Sequence, residues 1–512
     1  MAEATNKFSF VAADEAATLR CAAWVAQALV AHMADSGSGM LVSLEGDLGA
    51  GKTAFARGLI QARCGPSTLV PSPSFALVQP YEETQPPIWH ADLYRLGEAS
   101  EVEELGLMDA LAAHICLVEW ADKADGLLPE ADMIVRLQED GAAARHIDMF
   151  APPTIISALH AAAARDQVLS DFLSNAGWAA ASRAALAGDA STRRYERLSL
   201  DGQKAVLMDW AKGPDGPAIY DGLPYSRVAH LAEAMPGYCR MVDWLGAHGL
   251  RAPGIFSRDE AQGFALMQDF GDRHIANEVT LDRAVFYFEA VETLLHLHRQ
   301  EAADFLPPYD GAVQAVEAGL FLDWFLPWRG IEVSDVARHG FLDFWREMGD
   351  KLAADKPVTV LRDYHSVNLL WRETAQARFR IGLIDVQDAL AGHAAYDLAS
   401  LLCDARVDVA PELRAQGLAH YMQARFGDDA AARADFEAAV ALCTAQRNFK
   451  IAGIFIRLAE RDKKPDYLRH VPRVLGYLEN ALAHEALAPM AAWLAENAPH
   501  LLDANILEPQ ND

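Results

Sequence analysis

The sequence predicts two domains of different classes, an α/β domain with a mainly parallel sheet followed by an α+β domain with two lobes. The chain has 512 residues, which is more than one hydrophobic core usually holds. Between residues 8 and 150, short apolar runs alternate with helical segments, as is typical of a parallel sheet covered by helices. After about residue 170 a strand-rich part precedes a mainly helical one.

The strand candidates of the first domain are residues 40–44, 88–93, 115–119 and 133–137. The alternation stops at Pro152 and Pro153, where an alanine-rich helical stretch begins. We therefore expect the first domain over residues 1–152, a helical linker over 153–170 and the second domain over 171–512.

The second domain is predicted to begin with a helix over residues 168–187. Strands follow near residues 195–200, 205–210 and 264–267, and helical periodicity dominates from residue 281 onward. One β-rich patch, residues 358–386, interrupts the helices. This order favours a small strand-rich lobe followed by a larger helical lobe.

Composition excludes several classes of function. The net charge is −28, and residues 1–155 alone carry 9 basic against 22 acidic side chains, so we expect no direct binding of nucleic acid. The six cysteines are far apart and form no C-x-x-C pair, which argues against zinc and disulfides. No apolar run has the length of a membrane span and no secretory leader is recognisable. We expect a soluble, cytoplasmic protein.

The most informative segment is residues 46–53, G-D-L-G-A-G-K-T. It matches the complete G-x-x-x-x-G-K-[ST] phosphate loop, and it lies between an apolar run and a helical pattern, as such a loop requires. The sequence therefore predicts a P-loop NTPase domain that binds ATP and Mg²⁺. Backbone amides would hold the phosphates, the lysine would reach the terminal phosphates and the threonine would ligate magnesium. The residues of this expected site are Gly46, Gly49, Gly51, Lys52 and Thr53.

Two acidic residues follow apolar runs of the same domain. Glu119 ends the run that begins at Ile115, and a carboxylate at a buried strand end can hold magnesium or orient water. An exposed glutamate at a strand end is an equally good interpretation. Asp92 is either a further acid of the site or a partner in an ordinary surface ion pair.

Four segments around the phosphate loop resemble the TsaE family. They are residues 72–78 (S-P-S-F-A-L-V), 90–95 (H-A-D-L-Y-R), 103–106 (E-E-L-G) and 118–120 (V-E-W). The resemblance implies an ATPase that supports synthesis of threonylcarbamoyladenosine in tRNA by engaging the TsaB and TsaD proteins. It also implies that Thr53 and Glu119 serve magnesium, that Asp92 assists catalysis and that residues 72–75 form a nucleotide-responsive switch.

A second constellation lies in residues 361–368, L-R-D-Y-H-S-V-N, and 384–388, I-D-V-Q-D. An aspartate five residues before an asparagine, followed by an acid after an apolar strand, matches the catalytic loop and the metal-binding acid of kinases. Asp363 can accept the proton of an attacking hydroxyl. Asn368 and Asp385 can hold magnesium.

The second half resembles the aminoglycoside phosphotransferase-like kinases, and within them the N-acetylmuramate/N-acetylglucosamine kinases of the AmgK type. The supporting segments are residues 188–195, 267–272, 395–398, 446–450 and the catalytic patch. On this resemblance Ser191 and Thr192 lie over the ATP phosphates, and Met267 and Asp269 belong to the adenine-contacting hinge. Asp397 supports the catalytic loop. The implied substrate is a small amino sugar, phosphorylated on its anomeric hydroxyl.

Two positions depart from the kinase pattern. Leu361 stands where the family has the histidine of H-x-D. The run at residues 205–209 lacks the lysine that kinases direct at the α- and β-phosphates. Lys204, Lys212 or Arg193 are the candidate replacements, and the sequence does not choose among them.

Other classes of function stay open. The first domain could be a nucleotide-gated adaptor with little turnover of its own. The second could phosphorylate another hydroxyl compound, such as an aminoglycoside or choline, or it could bind nucleotide without transferring a phosphoryl group.

Overall fold

The structure, a computed structural model, describes residues 6–141, 143–186, 193–211, 218–220, 222–232, 234–278, 283–373, 380–499 and 501. Ser191, Thr192 and Lys212 lie outside this described part. The chain divides into two compact units, Met1–Asp189 and Ala190–Asp512.

Seven strands of the first unit form one sheet. They are β1 Lys7–Ala12, β2 Met40–Glu45, β3 Val78–Tyr81, β4 Ile88–Asp92, β5 Ile115–Glu119, β6 Met133–Glu139 and β7 Arg145–Phe150. The helices of this unit are α1 Glu15–Ser36, α2 Lys52–Cys64, α3 Leu107–Ala110 and α4 Pro153–Asn175.

The sheet is mixed, with the strand order β1-β7-β6-β2-β5-β4-β3. Its four central strands, β6, β2, β5 and β4, are parallel neighbours. The outer pairs β1–β7, β7–β6 and β3–β4 are antiparallel. The expectation of a mainly parallel sheet therefore holds for the centre only. The pairs β6–β7 and β3–β4 join consecutive strands as hairpins, which are antiparallel. Strand β1 comes from the other end of the domain sequence and pairs with β7 at the edge of the sheet.

Strands β2 and β5 at the centre are buried over almost their whole length because both faces of the sheet are covered. Alternate residues of β5 point to opposite faces: Ile115 and Leu117 belong to the core shared with α1, α2 and α4. Cys116 and Val118 belong to the core on the other face, which contains α3. The parallel centre brings the carboxyl ends of β2, β5 and β4 to one edge of the sheet.

The segment after the first domain differs from expectation. Residues 153–175 form the single helix α4, and Ile155, Ile156 and Leu159 are buried in the core of the first unit. The predicted helix over residues 168–187 is wrong beyond Asn175, because Ser182–Leu186 is a strand, β8. Its alanine-rich sequence favours helix, but pairing at the edge of a sheet overrides a weak local preference. The boundaries of the functional domains stay a prediction.

The second unit begins with strands and continues with helices. Its strands are β9 Arg194–Leu200, β10 Gln203–Asp209, β11 Ala218–Tyr220, β12 Leu223–Pro224, β13 Ile255–Asp259, β14 Phe264–Gln268, β15 Val358–Val360, β16 Leu369–Trp371, β17 Ile381–Leu383 and β18 Leu390–Gly392. Its helices are α5 Tyr225–Val228, α6 Met235–Ala247, α7 Arg283–Leu297, α8 Gly311–Leu320, α9 Leu326–Trp328, α10 Asp335–Ala354, α11 Ala395–Leu402, α12 Pro411–Phe426, α13 Ala430–Glu460, α14 Val471–Leu482 and α15 Ala488–Asn497.

Four strands of the second unit are neighbours in one sheet, in the order β13-β14-β10-β9. Two short antiparallel pairs, β15–β18 and β16–β17, lie among the helices. One continuous hydrophobic core contains Met208 and Met267 of the sheet and also Phe341 and Phe449 of the helices. The sheet and the helical part thus share a core, as an α+β unit requires.

All six cysteines are free thiols, four of them buried. None of the helices in the described ranges combines the length and the apolar composition needed to cross a membrane.

Candidate active sites

The glycine loop of residues 46–53 connects β2 to α2 and needs its glycines. Gly46, Gly49 and Gly51 have φ values of 143°, 87° and 102°, and residues that carry a side chain rarely adopt such values. A Cβ atom on Gly46 would lie 2.4 Å from the carbonyl oxygen of Leu137. The loop can therefore pass close to strand β6 only with glycine at this position.

Lys52 is folded against the loop that precedes it. Its Nζ donates to the carbonyl oxygens of Gly46 at 2.7 Å and Asp47 at 2.9 Å, and it lies 3.9 Å from the centre of the Trp120 ring. Burial lowers the pKa of Lys52, although Glu119 opposes this shift. The ammonium group is thus held at the mouth of the loop by acceptors that phosphate oxygens could replace.

Both predicted acids of the first unit lie at the same edge of the sheet. Strands β2, β5 and β4 are neighbours, and Glu119 pairs in register with Leu44 on one side and Asp92 on the other. Thr53 Oγ1 donates to Glu119 Oε1 at 2.9 Å, so the hydroxyl and the carboxylate that were expected to serve magnesium are in contact. The parallel register explains how residues 66 positions apart come together.

Asp92 connects this edge to the predicted switch segment. Ser72 Oγ donates to Asp92 Oδ2 at 2.9 Å, and the amide of Tyr94 donates to Asp92 Oδ1 at 3.1 Å. Phe75 in the same segment is 85% exposed and lies under the guanidinium of Arg95 at 4.4 Å. Asp92 is buried and its contacts are internal, so it is not a surface ion pair.

Sequence reasoning missed two residues of this site. His90 is fully buried, and its Nε2 lies 3.0 Å from Glu119 Oε1, where it can donate to the carboxylate and fix its orientation. Arg145 of β7 donates from Nε to the carbonyl oxygen of Ala50 at 2.9 Å. His90 could have been found because it alternates with Asp92 on one strand. Arg145 could not have been found from the sequence, because β7 comes near the glycine loop only through its position in the folded sheet.

In the second unit, a short hairpin brings three predicted residues together. Asn368 immediately precedes β16, and Asp385 follows β17 by two residues. Leu369 pairs with Leu383, and the amide of Ile384 donates to Asn368 O at 3.1 Å. Asn368 Nδ2 donates to the carbonyl oxygen of Asp363 at 3.0 Å, which leaves its amide oxygen as the atom able to ligate a cation.

The backbone around Asp363 is held by a buried carboxylate. Asp397 accepts from the amides of Leu361 at 2.7 Å and Arg362 at 2.9 Å. Burial raises the pKa of Asp397 to about 7. Arg362 and Asp385 have φ values of 65° and 59°, and such strained conformations of non-glycine residues are concentrated at functional sites. Asp397 thus supports the loop although Leu361 replaces the usual histidine.

A second buried carboxylate, Glu317 of α8, lies behind this loop and was not found from the sequence. It forms ion pairs with Arg362 and with Lys450, the latter at 2.7 Å. Its other oxygen accepts from Tyr309 at 2.5 Å and from Gln446 at 3.3 Å. Burial would raise the pKa of Glu317, but the two cations lower it to about 2. Nothing in the sequence around residue 317 distinguishes it from a surface glutamate on a helix.

The charges near Asp363 suit a base that stays ionised. Burial works against its charge, but Lys450 and His365 outweigh it and lower the pKa of Asp363. The pKa of Asp385 is raised, first by burial and then by Asp363 and other nearby acids, against the opposing charge of Arg193. A divalent cation would relieve this crowding of carboxylates.

The predicted hinge residues make contacts away from the catalytic loop. Met267 is buried in β14, and its Sδ accepts from Tyr238 at 3.3 Å. Asp269 accepts from Arg197 Nε at 2.7 Å. The adenine contacts assigned to Met267 and Asp269 stay a prediction, and the predicted phosphate contacts of Ser191 and Thr192 fall outside the described residues.

The oxygen ligands at both sites suit a magnesium ion that is bound partly by the protein and partly by nucleotide phosphates. In the described ranges no three His, Cys, Asp or Glu side chains are arranged to hold a metal by themselves. Magnesium in phosphoryl-transfer sites is commonly held by one or two carboxylates plus phosphate oxygens. Thr53 with Glu119, and Asn368 with Asp385, provide such partial sets of oxygen ligands.

Known proteins match both parts of the chain. The family described as threonylcarbamoyl adenosine biosynthesis protein TsaE matches residues 12–147, and the phosphotransferase enzyme family matches residues 182–436. An N-acetylmuramate/N-acetylglucosamine kinase of Caulobacter vibrioides is 35% identical, covering 65% of this chain and 97% of that protein. A kinase of the same name from Pseudomonas aeruginosa is 33% identical, covering 64% of this chain and 94% of that protein. A TsaE protein of Haemophilus influenzae is 43% identical, covering 22% of this chain and 70% of that protein.

These matches agree in position with the glycine loop of the first unit and with the acidic site of the second. The phosphate loop, Asp92 and Glu119 lie within the first matched segment, and Asp363, Asn368 and Asp385 lie within the second. The chain is therefore a fusion that belongs to the TsaE family through its N-terminal part and to the phosphotransferase enzyme family, as a relative of the N-acetylmuramate/N-acetylglucosamine kinases, through its C-terminal part.

Proposed function

We propose that the C-terminal part transfers the terminal phosphoryl group of ATP to the anomeric hydroxyl of N-acetylmuramate or N-acetylglucosamine. The observation that carries this proposal is the meeting of Asp363, Asn368 and Asp385 around the β16–β17 hairpin. The names of relatives matched over almost their whole length support the choice of sugar.

In this reaction Asp363 accepts the proton of the sugar hydroxyl. The hydroxyl oxygen forms a bond to the terminal phosphorus of ATP, and the bond from that phosphorus to the bridging oxygen breaks, releasing ADP. Magnesium, held by Asn368 and Asp385, would neutralise charge on the phosphate oxygens. Asp397 and Glu317 keep the catalytic loop in position from behind.

The test is formation of sugar phosphate from ATP, magnesium and each of the two sugars. The methyl glycoside of N-acetylglucosamine lacks a free anomeric hydroxyl and should give no product. Asp363→Asn should lower the rate by about a hundredfold or more. Asp343→Asn is the matched control, since Asp343 is exposed and pairs with Arg346. Phosphorylation of an aminoglycoside or of choline, and of neither sugar, would overturn the substrate assignment.

The N-terminal part is proposed to be a P-loop ATPase that supports threonylcarbamoyladenosine synthesis together with TsaB- and TsaD-type proteins in the cytoplasm. The contact of Thr53 with Glu119 beside the buried Lys52 supports this proposal. Lys52 would bind the phosphates, and Thr53 with Glu119 would hold magnesium. Asp92 would assist attack by water, and its bond to Ser72 would couple the site to the switch segment.

ATP hydrolysis with both partner proteins tests this proposal. The measurement uses the Asp363→Asn chain without sugar, so that the second site contributes no turnover. Lys52→Ala should abolish hydrolysis, whereas the exposed Lys123→Ala should leave it unchanged. Hydrolysis that survives Lys52→Ala would show that the phosphate loop is not the site. Partner-dependent nucleotide binding without hydrolysis would instead favour an adaptor.

A further inference from the structure

Strand β10 provides no buried basic side chain. Its sole lysine, Lys204, is exposed, and Asp209 at its end is the one buried polar residue of the strand. Asp209 binds Arg194 at 2.7 Å. Because kinases generally use a lysine of this strand for the α- and β-phosphates, the positive charge has to come from another element.

Arg193, immediately before β9, reaches the metal-binding acid. Its Nη2 lies 2.7 Å from Asp385 Oδ1, and its side chain is 11% exposed. The guanidinium lies 5.1 Å from the centre of the Trp210 ring, and Trp210 directly follows β10. Arg193 therefore enters the site beside the end of the strand that lacks the lysine.

Arg193 places its positive charge beside Asp385, whereas two other cations of this region are held by Glu317. Arg362 and Lys450, which act on Asp363, both bind Glu317 behind the catalytic loop. An arginine also presents several donors in a fixed fork, which suits phosphate oxygens.

We propose that Arg193 replaces the missing strand lysine and binds the phosphate oxygens of the nucleotide next to Asp385. This inference rests on the proposed kinase function of the second unit. Asp385 would hold magnesium, which supplies charge neutralisation for nucleotide phosphates in kinases. A guanidinium 2.7 Å from Asp385 therefore lies where the phosphate groups of a bound nucleotide are expected. When nucleotide binds, the ion pair between Asp385 and Arg193 opens: Arg193 would contact the phosphates and Asp385 would hold the metal.

The experiment compares binding of ADP with binding of adenosine, by calorimetry in EDTA. The full chain carries Lys52→Ala so that the first phosphate loop does not bind the diphosphate. The ratio of the two dissociation constants is used because partial unfolding of a variant weakens the binding of both ligands by the same factor. Arg193→Met and Arg193→Lys are compared with Lys204→Met and Lys212→Met. The KM for ATP in sugar phosphorylation is a second measurement, and it reports on the second unit alone.

Arg193→Met should reduce the preference for ADP over adenosine by about tenfold or more. Arg193→Lys should keep part of the preference, and Lys204→Met should keep all of it. An unchanged preference in Arg193→Met, or a loss in Lys212→Met alone, would overturn the inference. Sugar phosphorylation is measured separately on the unaltered chain. If that chain phosphorylates neither sugar but its preference for ADP still depends on Arg193, only the proposed substrate is refuted.

Discussion

Glu317 and Arg362 form an ion pair in the interior of the second unit although they are 45 residues apart in the sequence. Arg362 directly precedes the predicted catalytic Asp363, and Glu317 is fully buried on α8. Lys450 of α13 binds the same carboxylate. One buried acid thus joins two helices to the catalytic loop, and its removal would leave two buried cations without a counter-charge.

Glu317→Gln is expected to destabilise the second unit. The free energy of unfolding should fall by about 3–5 kcal/mol, because an uncompensated buried charge is costly. Urea denaturation measures the change. Glu347→Gln is the control, since its ion pair with Lys351 on α10 is exposed and should matter by less than about 0.5 kcal/mol. Equal effects of the two substitutions would contradict the role of Glu317.

Asp397 should make stability depend on pH. Its pKa of about 7 lies above the ordinary value of 3.8 because of burial, so the folded protein binds this proton more tightly than the unfolded chain. The resulting stabilisation is complete below the ordinary value and is lost as the pH rises through 7.

We therefore expect the difference in unfolding free energy between the parent chain and Asp397→Asn to shrink from about pH 4 to about pH 7 and then to level off. Denaturation series at several pH values measure it. A difference that does not change with pH would refute the raised pKa.

Gly46→Ala should be more harmful than Gly37→Ala. Both glycines have positive φ, and this alone costs about 1–2 kcal/mol for alanine. Only at Gly46 would the new methyl group meet an atom at 2.4 Å, whereas nothing lies within 4 Å at Gly37. Thermal unfolding should rank the two variants in this order, and Gly46→Ala should also lose ATP hydrolysis. Equal losses of stability would show that the loop can move away from Leu137.

Arg145→Met should weaken nucleotide use by the first unit. Arg145 donates to the carbonyl oxygen of Ala50, and this bond fixes the middle of the glycine loop. The ATP concentration for half-maximal hydrolysis should rise about tenfold. Arg136→Met provides the comparison, because Arg136 on β6 forms a partly exposed ion pair with Glu45. If both substitutions raise this ATP concentration to a similar extent, the effect arises from a general disturbance of the sheet edge and not from loss of the contact between Arg145 and the loop.

Much of the first unit could be predicted from local sequence. All four strand candidates form strands within one or two residues of the expected ends, because a strand buried on both faces is a short apolar run with a recognisable end. The antiparallel edges were not predicted. Strands β1 and β7 are partly exposed, and their mixed composition gives a weaker signal.

The segment that follows α4 shows where local patterns fail. The alanine-rich residues 182–186 favour a helix by composition but form the strand β8. The reason is that helix propensity differs by only a few tenths of a kcal/mol per residue, less than a place in a sheet can contribute. The catalytic role of residues 361–388 stays a prediction. Their pattern could be picked out because Asp363, Asn368 and Asp385 have the spacing of a kinase catalytic loop and metal-binding acid.

The sequence by itself determined the glycine loop of the first domain, the acidic patch of the second and the apolar strands beside them. It also determined the order of the two domains, because each of these features depends on neighbours along the chain. Only the tertiary structure decided which distant groups serve those motifs: Arg145 at the glycine loop, Glu317 behind Arg362, and Arg193 at Asp385. A charged side chain has the same local sequence signal whether it is solvated or buried. Its role is set by the partner that compensates its burial, and folding alone brings that partner near.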